Sequence, residues 1–259
     1  MYRIPDTENP IIFPEDYTTT PEGLLAVGGN LHPETLIDAY SKGVFPWYSD
    51  ADPILWWHPD PRLVILPKNV HISRKMCRLF NKSRPLYYNK DQLDQVENAA
   101  NISAEIKYLI TINKDFSSVI TQCAISKGPR RDGTWIMAEL KKSFIKLHKA
   151  GFAHSVEVYN RRHELVGGLY GLSIGTIFFG ESMFSLESNT SKLALFWLCQ
   201  FLKQHDFKIL DCQVVSPHLL TLGAEAIQRA EFLKHLKEAK TFQKNPARVF
   251  KQLCNLDWS

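Results

Sequence analysis

The sequence lacks paired cysteines, a long apolar run and a large excess of charge of either sign. Its five cysteines stand far apart, at Cys77, Cys123, Cys199, Cys212 and Cys254. Because no Cys-x-x-Cys pair or Cys/His ligand spacing occurs, we expect neither a zinc site nor a disulfide framework. The longest apolar region, 167–180, is broken by glycines and too short to span a bilayer. Acids and prolines precede any run of signal-peptide length. We therefore expect a cytoplasmic protein with no metal centre and no membrane association.

What the chain does contain is the composition of a globular protein. Of its 259 residues, 44% are hydrophobic and 22% are charged, which excludes a largely disordered chain. The length suffices for one large domain or for a domain with a small partner. Lysine and arginine together number 31, against 27 aspartates and glutamates, for a formal net charge of +4. This mild excess permits a polyanionic partner but does not require one.

Two regions of the chain differ in local pattern. Residues 1–64 are rich in proline, glycine and aromatic residues, which predicts a small, loop-rich N-terminal domain with one helix over 33–41, ended by Gly43. From residue 65 onward the predicted elements are helices over 71–84, 134–150 and 191–204, and strands over 154–159, 165–170, 176–179 and 208–215. Turn residues between the first three strands, the second set at 171–175, predict an antiparallel meander. The fold class is therefore a mixed α/β (α+β) fold, with a mostly antiparallel sheet flanked by helices over 65–259.

The strand over 208–215 carries two polar side chains in an apolar setting. Because side chains alternate along a strand, Asp211 and Gln213 are expected on one face and Cys212 on the other. Two polar groups side by side are either satisfied by neighbouring backbone or form part of a site, and both interpretations stay open. Cys212, between two apolar neighbours, is expected to be a small core residue rather than a nucleophile, although His218 follows nearby.

The segment 178–185 invites comparison with the Gly-x-Ser-x-Gly nucleophile elbow. That comparison fails, because Phe184 stands where the second glycine belongs. Glu181 remains, expected at a strand end in a loop that leads toward a helix, either as a ligand-binding acid or as a capping or solvent-facing one. The glycines around it lie between strands rather than at a helix start, so no phosphate loop, dinucleotide fingerprint or cofactor site is predicted.

Aromatic and basic groups admit two interpretations each. The aromatic groups at 45–47 and 56–57 and at Trp135 either fill the core or line a pocket and stack on a nucleobase. Basic side chains cluster at 74–84 and 127–131, and again along 141–149. A charged helix face is ordinarily just solvated, whereas three separate clusters have the spacing of phosphate contacts.

Taken together, these segments resemble one family, the bacterial leucyl/phenylalanyl-tRNA–protein transferases. The matching motifs follow the family order over nearly the whole chain: 23–29, 43–47, 53–57, 61–62, 133–136, 153–158, 165–168, 170–171, 179–185, 191–192, 211–213 and 222–224. The resemblance implies an N-terminal domain over 1–64 and an acetyltransferase-like (GNAT) domain over 65–259, with residues 85–110 as an insertion. It implies that neither a metal nor a cofactor is needed.

The resemblance also implies an activity. The family transfers Leu, Phe or, less readily, Met from aminoacyl-tRNA to proteins that begin with Arg or Lys, which marks those proteins for N-end-rule degradation. The expected partners are thus aminoacyl-tRNA and acceptor proteins, and we expect a monomer. Three alternatives stay in view: a transferase that acts on cell-wall peptide, a coenzyme A-dependent N-acetyltransferase, and a non-catalytic RNA-binding protein.

Site residues follow from matching the motifs position by position. An Asp–Gln relay maps onto Asp211 and Gln213, with Glu181 positioning the amine or the aminoacyl adenosine. The candidates for the aminoacyl pocket are Trp47, Trp135, Phe179, Met183 and Phe196. The candidates for tRNA binding are Arg74, Lys75, Arg78, Lys82, Arg84, Arg130 and Arg131.

Overall fold

The computed structural model of the protein describes residues 1–49, 52–85, 105–125 and 138–241. Most of the insertion predicted at 85–110 lies outside these ranges. The same holds for Arg130, Arg131 and Trp135, and for the predicted first turn of the helix over 134–150. Within the described ranges, no helix combines the length and apolar character needed to cross a membrane.

A small four-stranded sheet forms the N-terminal part. Its strands are β1 (Tyr2–Ile4), β2 (Leu24–Gly28), β3 (Phe45–Pro46) and β4 (Leu55–Trp57), in the order β1-β2-β4-β3. Helix α1 spans Pro33–Ser41, as predicted. Proline in the first turn fixes a helical φ, and Gly43, with φ +77°, adopts the left-handed conformation that ends a helix.

A larger eight-stranded sheet forms the rest. Its strands are β5 (Arg62–Ile65), β6 (Ser83–Pro85), β7 (Tyr108–Ile112), β8 (Ala153–Asn160), β9 (Leu165–Ile174), β10 (Ile177–Ser185), β11 (Ile209–Gln213) and β12 (Glu225–Ile227). Their order is β12-β5-β11-β10-β9-β8-β7-β6. Among the strand pairs that the structure describes in this sheet, only β10–β11 and β6–β7 are parallel, so the prediction of a mostly antiparallel sheet is confirmed.

Helices cover both faces of this sheet. They are α2 (Arg74–Asn81), α3 (Phe116–Ile125), α4 (Ala138–Lys149), α5 (Thr190–Gln204), α6 (Pro217–Leu220) and α7 (Arg229–Thr241). Alternation along each strand divides the core: Phe178 packs on the α5 side, whereas Phe179 packs on the side of α3, α4 and α7. The core on the Phe179 side of the sheet also contains Tyr40 and Trp56, so the N-terminal part shares a core with the large sheet. The mixed α/β prediction is confirmed, while the acetyltransferase likeness stays a prediction.

Two strands run well past their predicted ends: β9 ends at Ile174 rather than at residue 170, and β10 ends at Ser185 rather than at residue 179. Residues 171–175 were expected to turn, but β9 runs through to Ile174 and only Gly175 and Thr176 separate it from β10. Gly171 serves close packing instead, because a Cβ there would stand 2.1 Å from the Phe179 carbonyl oxygen. Gly175, with φ +56°, makes the turn.

The basic helix predicted over 71–84 is shorter than expected. Ser73 caps α2 by accepting the Met76 N–H, and the helix ends at Asn81. The Lys82 carbonyl then accepts N–H groups of the β7 segment, and Arg84 lies in β6, paired with β7. Lys82 and Arg84 are therefore not helical, because pairing with the sheet replaces the next helical turn.

Candidate active site

The candidate site opens where two neighbouring strands stop pairing. Strands β10 and β11 are paired in parallel only as far as Phe179 and Asp211, although both continue beyond. Each strand carries an irregularity at that point, between Gly180 and Ser182 in β10 and between Asp211 and Gln213 in β11. Such bulges re-aim side chains, and here they put Glu181 and Gln213 at the opening.

A cavity of about 300 Å³ occupies this opening. Its walls come from β9, β10 and β11, from helices α5 and α6, and from the segment around Trp47. The lining residues are Phe45, Pro46, Trp47, Leu169, Tyr170, Gly180, Glu181, Ser182, Met183, Leu195, Leu198, Leu210, Asp211, Cys212, Gln213, Val214, Ser216 and Leu219. Most of the wall is apolar, and the ionisable carboxyl groups lie together on one side.

A fully buried ion pair supports the floor of the site. Arg62 Nε and Nη2 donate to the two carboxylate oxygens of Asp211 at 2.8 and 2.6 Å, and both side chains are completely buried. The guanidinium also donates to the Gly43 carbonyl at 3.0 Å and lies over the rings of Phe45 and Phe232. A bidentate pair of this kind compensates the desolvation of both charges and fixes their geometry.

Glu181 lies inside β10, not in a loop at a strand end as the sequence predicted. The bulge turns its carboxyl group inward, where Oε1 accepts the Tyr40 hydroxyl at 2.7 Å and the Gln213 Nε2 at 2.8 Å. Burial raises the pKa of Glu181 to about 7, with the Asp211 charge acting in the same direction and the two hydrogen bonds opposing it. A carboxyl group with this pKa exchanges a proton readily near neutral pH.

Gln213 lies next to Glu181 in an uncommon backbone conformation, with φ +65°. Its backbone N–H donates to Asp211 Oδ1 at 3.0 Å, whereas its side-chain amide donates to Glu181. Asp211 therefore holds the main chain of Gln213, and it is Glu181 that orients the carboxamide. No group in the described part of the chain donates to the side-chain carbonyl of Gln213, which is left for a ligand in the cavity.

Two of the five predicted pocket residues line the cavity. Trp47 stands at its mouth, 43% exposed, and Met183 lies in its wall. Phe179 and Phe196 do not line it, and their assignment is wrong: both are fully buried in the two cores. Phe179 packs edge-on against Tyr40, because strand alternation points it away from the cavity. Trp135 lies outside the described residues.

The predicted tRNA-binding residues in the described ranges are all exposed. Arg74, Lys75 and Arg78 share helix α2, which packs on α5 through a stack of Phe80 on Trp197 with centroids 4.4 Å apart. Because α5 also supplies Leu195 and Leu198 to the cavity, the basic helix lies beside one cavity wall. Lys82 and Arg84 continue the exposed charge beyond the helix.

Arg62 and Tyr40 belong to the site, although neither was predicted from the sequence. An arginine at the start of the apolar strand 62–65 does signal a buried carboxylate partner, since a buried charge must be paired. Nothing in the sequence distinguished Tyr40.

Cys212, half-buried, lines the cavity together with Asp211 and Gln213, so its expected place in the core on the opposite face is wrong: the bulge between Asp211 and Gln213 breaks the alternation. Burial raises the pKa of its thiol well above the usual value. Among the described residues no group of His, Cys, Asp and Glu is placed to hold a metal ion.

An apolar cavity with one buried polar wall, including a carboxyl group that titrates near neutrality, is typical of an enzyme that handles a small apolar group. The model of the family "Leucyl/phenylalanyl-tRNA protein transferase" matches residues 64–237, and that of its N-terminal domain matches 29–60. The chain belongs to this family and is an aminoacyltransferase.

Curated relatives agree with this assignment along almost the whole chain. The Maridesulfovibrio salexigens leucyl/phenylalanyl-tRNA–protein transferase is 44% identical over 92% of this chain and 89% of its own length. The Pseudomonas entomophila protein of the same name is 45% identical over 89% of this chain and 92% of its own. Two solved structures, a functionally unknown Staphylococcus epidermidis protein and L-PGS from Bacillus licheniformis, overlap it only loosely. The match to the Staphylococcus epidermidis protein is 12% identical, covers 64% of this chain and 57% of that protein, and has a TM-score of 0.37. The match to L-PGS is 11% identical, covers 87% of this chain and 63% of that protein, and has a TM-score of 0.35.

Proposed function

We propose that this enzyme transfers Leu, Phe and, less readily, Met from aminoacyl-tRNA to the N-terminus of proteins that begin with Arg or Lys. The product carries a new apolar N-terminal residue, which marks it for N-end-rule degradation. The proposal rests on the apolar cavity beside Glu181 and Gln213. It also rests on the chain's membership of the leucyl/phenylalanyl-tRNA–protein transferase family.

The cavity walls suit the side chains of the proposed donors. Met183, Leu195, Leu198 and Leu210 offer flexible or γ-branched apolar surface, which complements Leu, Phe or Met through burial and dispersion contacts. A charged or strongly polar side chain would be desolvated there without a partner. Trp47, half-exposed at the mouth, would stack on the terminal adenine.

The chemical step is aminolysis of an ester that is already activated, so it needs no ATP. The amine nitrogen of the acceptor attacks the ester carbonyl carbon, a C–N bond forms and the C–O bond to the terminal ribose breaks. Glu181 in its carboxylate form takes the proton that the amine loses and returns it to the ribose oxygen, which leaves as a hydroxyl. A pKa of about 7 suits both proton transfers near neutral pH.

Gln213 links the amine to this acid–base group. Its side-chain carbonyl accepts a hydrogen bond from the attacking amine, while its Nε2 donates to Glu181. A carboxamide does not titrate near neutrality, so its role is alignment of the amine rather than proton transfer. Asp211, neutralised by Arg62, contributes by holding the Gln213 backbone in place through Oδ1.

The experiment is single-turnover transfer of radiolabelled leucine from leucyl-tRNA to synthetic acceptors. We expect transfer to a peptide that begins with Arg and not to the same peptide beginning with Val, and a parallel reaction with phenylalanyl-tRNA. A muropeptide acceptor and an acetyl-CoA donor test the two enzymatic alternatives. Preferred transfer to the muropeptide, or acetylation of the Arg peptide, would refute the proposed acceptor or donor.

A further inference from the structure

We propose that Lys192 and His218, at the rim of the cavity, bind the phosphate group on the 5′ side of the terminal adenosine of aminoacyl-tRNA. This inference rests on the proposed function and adds a phosphate subsite to the same cavity. Lys192 lies in the first turn of α5, one helical turn before the cavity residue Leu195. Residues three apart share a helix face, and a helical side chain leans toward the N-terminus. The Lys192 side chain therefore extends from the apolar wall toward the rim.

His218 reaches the same rim from the opposite wall. It lies in α6, next to Leu219 and two residues after Ser216, both of which line the cavity. Its side chain is exposed, whereas that of Lys192 is half-buried. Burial and then the nearby Lys192 charge lower the pKa of His218 below its usual value. The two side chains thus lie near each other where α5 and α6 border the opening.

The chemistry of this pair suits an anion. An ammonium group has three N–H donors and no acceptor, and a neutral imidazole has one N–H donor. Within the described ranges, neither Lys192 nor His218 forms an ion pair with a carboxylate. The positive charge of Lys192 is therefore not balanced by the described part of the protein. Lysine is a common phosphate ligand, and a bound phosphate would also favour the charged form of His218.

The place of the pair between α2 and the cavity identifies the anion. Helix α2 packs on α5 at Trp197, whereas the cavity lies against Leu195 and Leu198 of the same helix. A tRNA with its acceptor stem on α2 and its aminoacyl group in the cavity must pass α5. Leu195 is one turn from Lys192 but more than two turns from Lys203, so the shorter way leads past Lys192. The phosphate nearest the aminoacyl ester is the one on the 5′ side of the terminal adenosine.

Two minimal donors that differ only in this phosphate test the inference. They are 3′-leucyl-adenosine and its 5′-methylphosphate, which carries the single negative charge of a tRNA phosphate, and each is assayed with the Arg peptide. The wild type should have a kcat/KM about tenfold or more higher for the phosphorylated donor, the factor expected from hydrogen bonds to a charged group. The double variant Lys192→Ala/His218→Ala should lose this preference and keep the wild-type kcat/KM for the unphosphorylated donor.

Two single variants serve as controls. Lys192→Arg keeps the positive charge and should retain most of the preference for the phosphorylated donor. Lys203→Ala removes an exposed lysine from the last turn of the same helix and should retain all of it. With leucyl-tRNA as donor, the double variant should raise KM about tenfold and Lys203→Ala should not.

The outcomes separate this inference from the proposed function. A wild type that transfers no leucine from leucyl-tRNA refutes the function itself. With transfer established, equal use of the two minimal donors by the wild type overturns the inference. A double variant that keeps the preference, or that loses activity equally with both donors, overturns it as well. If the wild type uses neither minimal donor, the KM for leucyl-tRNA decides, and an unchanged value in the double variant overturns the phosphate subsite.

Discussion

At the scale of single residues, the ion pair between Arg62 and Asp211 supports the site. They are 149 positions apart in the sequence, yet they form a bidentate, fully buried pair. Asp211 uses the same Oδ1 that meets Arg62 to hold the backbone N–H of Gln213. The charge of Asp211 is thus already balanced, and the group that its carboxylate holds in place is the backbone of Gln213.

Asp211→Asn keeps the shape of the side chain but leaves the Arg62 guanidinium buried without a counter-charge. Breaking one side of a buried pair costs about 3–5 kcal/mol of unfolding free energy. The control is Arg162→Ala, since Arg162 and Glu164 form a pair 2.8 Å apart that is 77% and 53% exposed. Exposed pairs contribute about 0–1 kcal/mol. Urea unfolding measures both, and similar losses in the two variants would contradict the account.

Burial of the Glu181 carboxyl group makes the stability of the protein depend on pH. Its pKa rises from 4.5 to about 7 on folding, so the folded state binds more protons than the unfolded state between these values. Unfolding free energy from this group therefore falls as pH rises from about 4.5 through 7. Thermal unfolding should show the wild type losing Tm from pH 5 to pH 8 relative to Glu181→Gln. Parallel Tm curves for the two proteins would show that the carboxyl group is not desolvated.

At the scale of elements, β9, β10 and β11 carry the site. Gly171 and Gly180 are paired across the β9–β10 ladder, but the space available for a side chain differs between them. A Cβ at Gly171 would stand 2.1 Å from the Phe179 carbonyl oxygen, whereas one at Gly180 would meet the Asp211 carbonyl oxygen at an ordinary 3.4 Å. One glycine is required by packing and the other is not.

Gly171→Ala should therefore destabilise the protein by about 1–3 kcal/mol or more, the usual cost of forcing extra volume into a packed core. Gly180→Ala should change the unfolding free energy by less than about 1 kcal/mol. Chemical denaturation of the two variants, which add the same methyl group to paired positions, compares them directly. Equal stability of both would contradict the close approach at Gly171.

Local pattern predicted most elements and part of the site. Alternation predicted strands that overlap β8 to β11, and polar residues in an apolar strand pointed to Asp211 and Gln213, whereas Glu181 was expected in a loop. The two bulges were not predictable, because they follow from how neighbouring strands pair rather than from residue type. Phe179 and Phe196 were misassigned for a related reason: an apolar residue looks alike in sequence whether it lines a cavity or fills the core.

At the scale of the whole molecule, the cavity and an exposed basic helix lie on the two sides of α5. The cationic face of α2, formed by Arg74, Lys75 and Arg78, is solvent-exposed and anchored to α5 through Phe80 and Trp197. A tRNA acceptor stem that delivers its 3′ end to the cavity would bring phosphates close to this face. Phosphate contacts of this kind weaken steeply with salt.

Replacing Arg74, Lys75 and Arg78 together by Glu should raise KM for leucyl-tRNA at least tenfold and flatten its dependence on salt. The matched control replaces Lys234, Lys237 and Lys240, which are exposed on α7, and changes the net charge equally. The control should show a much smaller rise in KM. Steady-state kinetics over a range of salt measures both, and equal effects would mean that only overall charge matters.

The most direct test of the central claim is the pH profile of single-turnover leucine transfer to an Arg peptide, for wild type and Glu181→Gln. In the proposed mechanism the carboxylate is the active form, so the wild-type rate should rise as pH increases through about 7. Ionisation of the acceptor amine, near 7.7–8.0, adds a second rise. Glu181→Gln should be slower by about 10²–10⁴-fold and keep only the second rise. A variant with the wild-type rate and the wild-type profile would contradict proton transfer by Glu181.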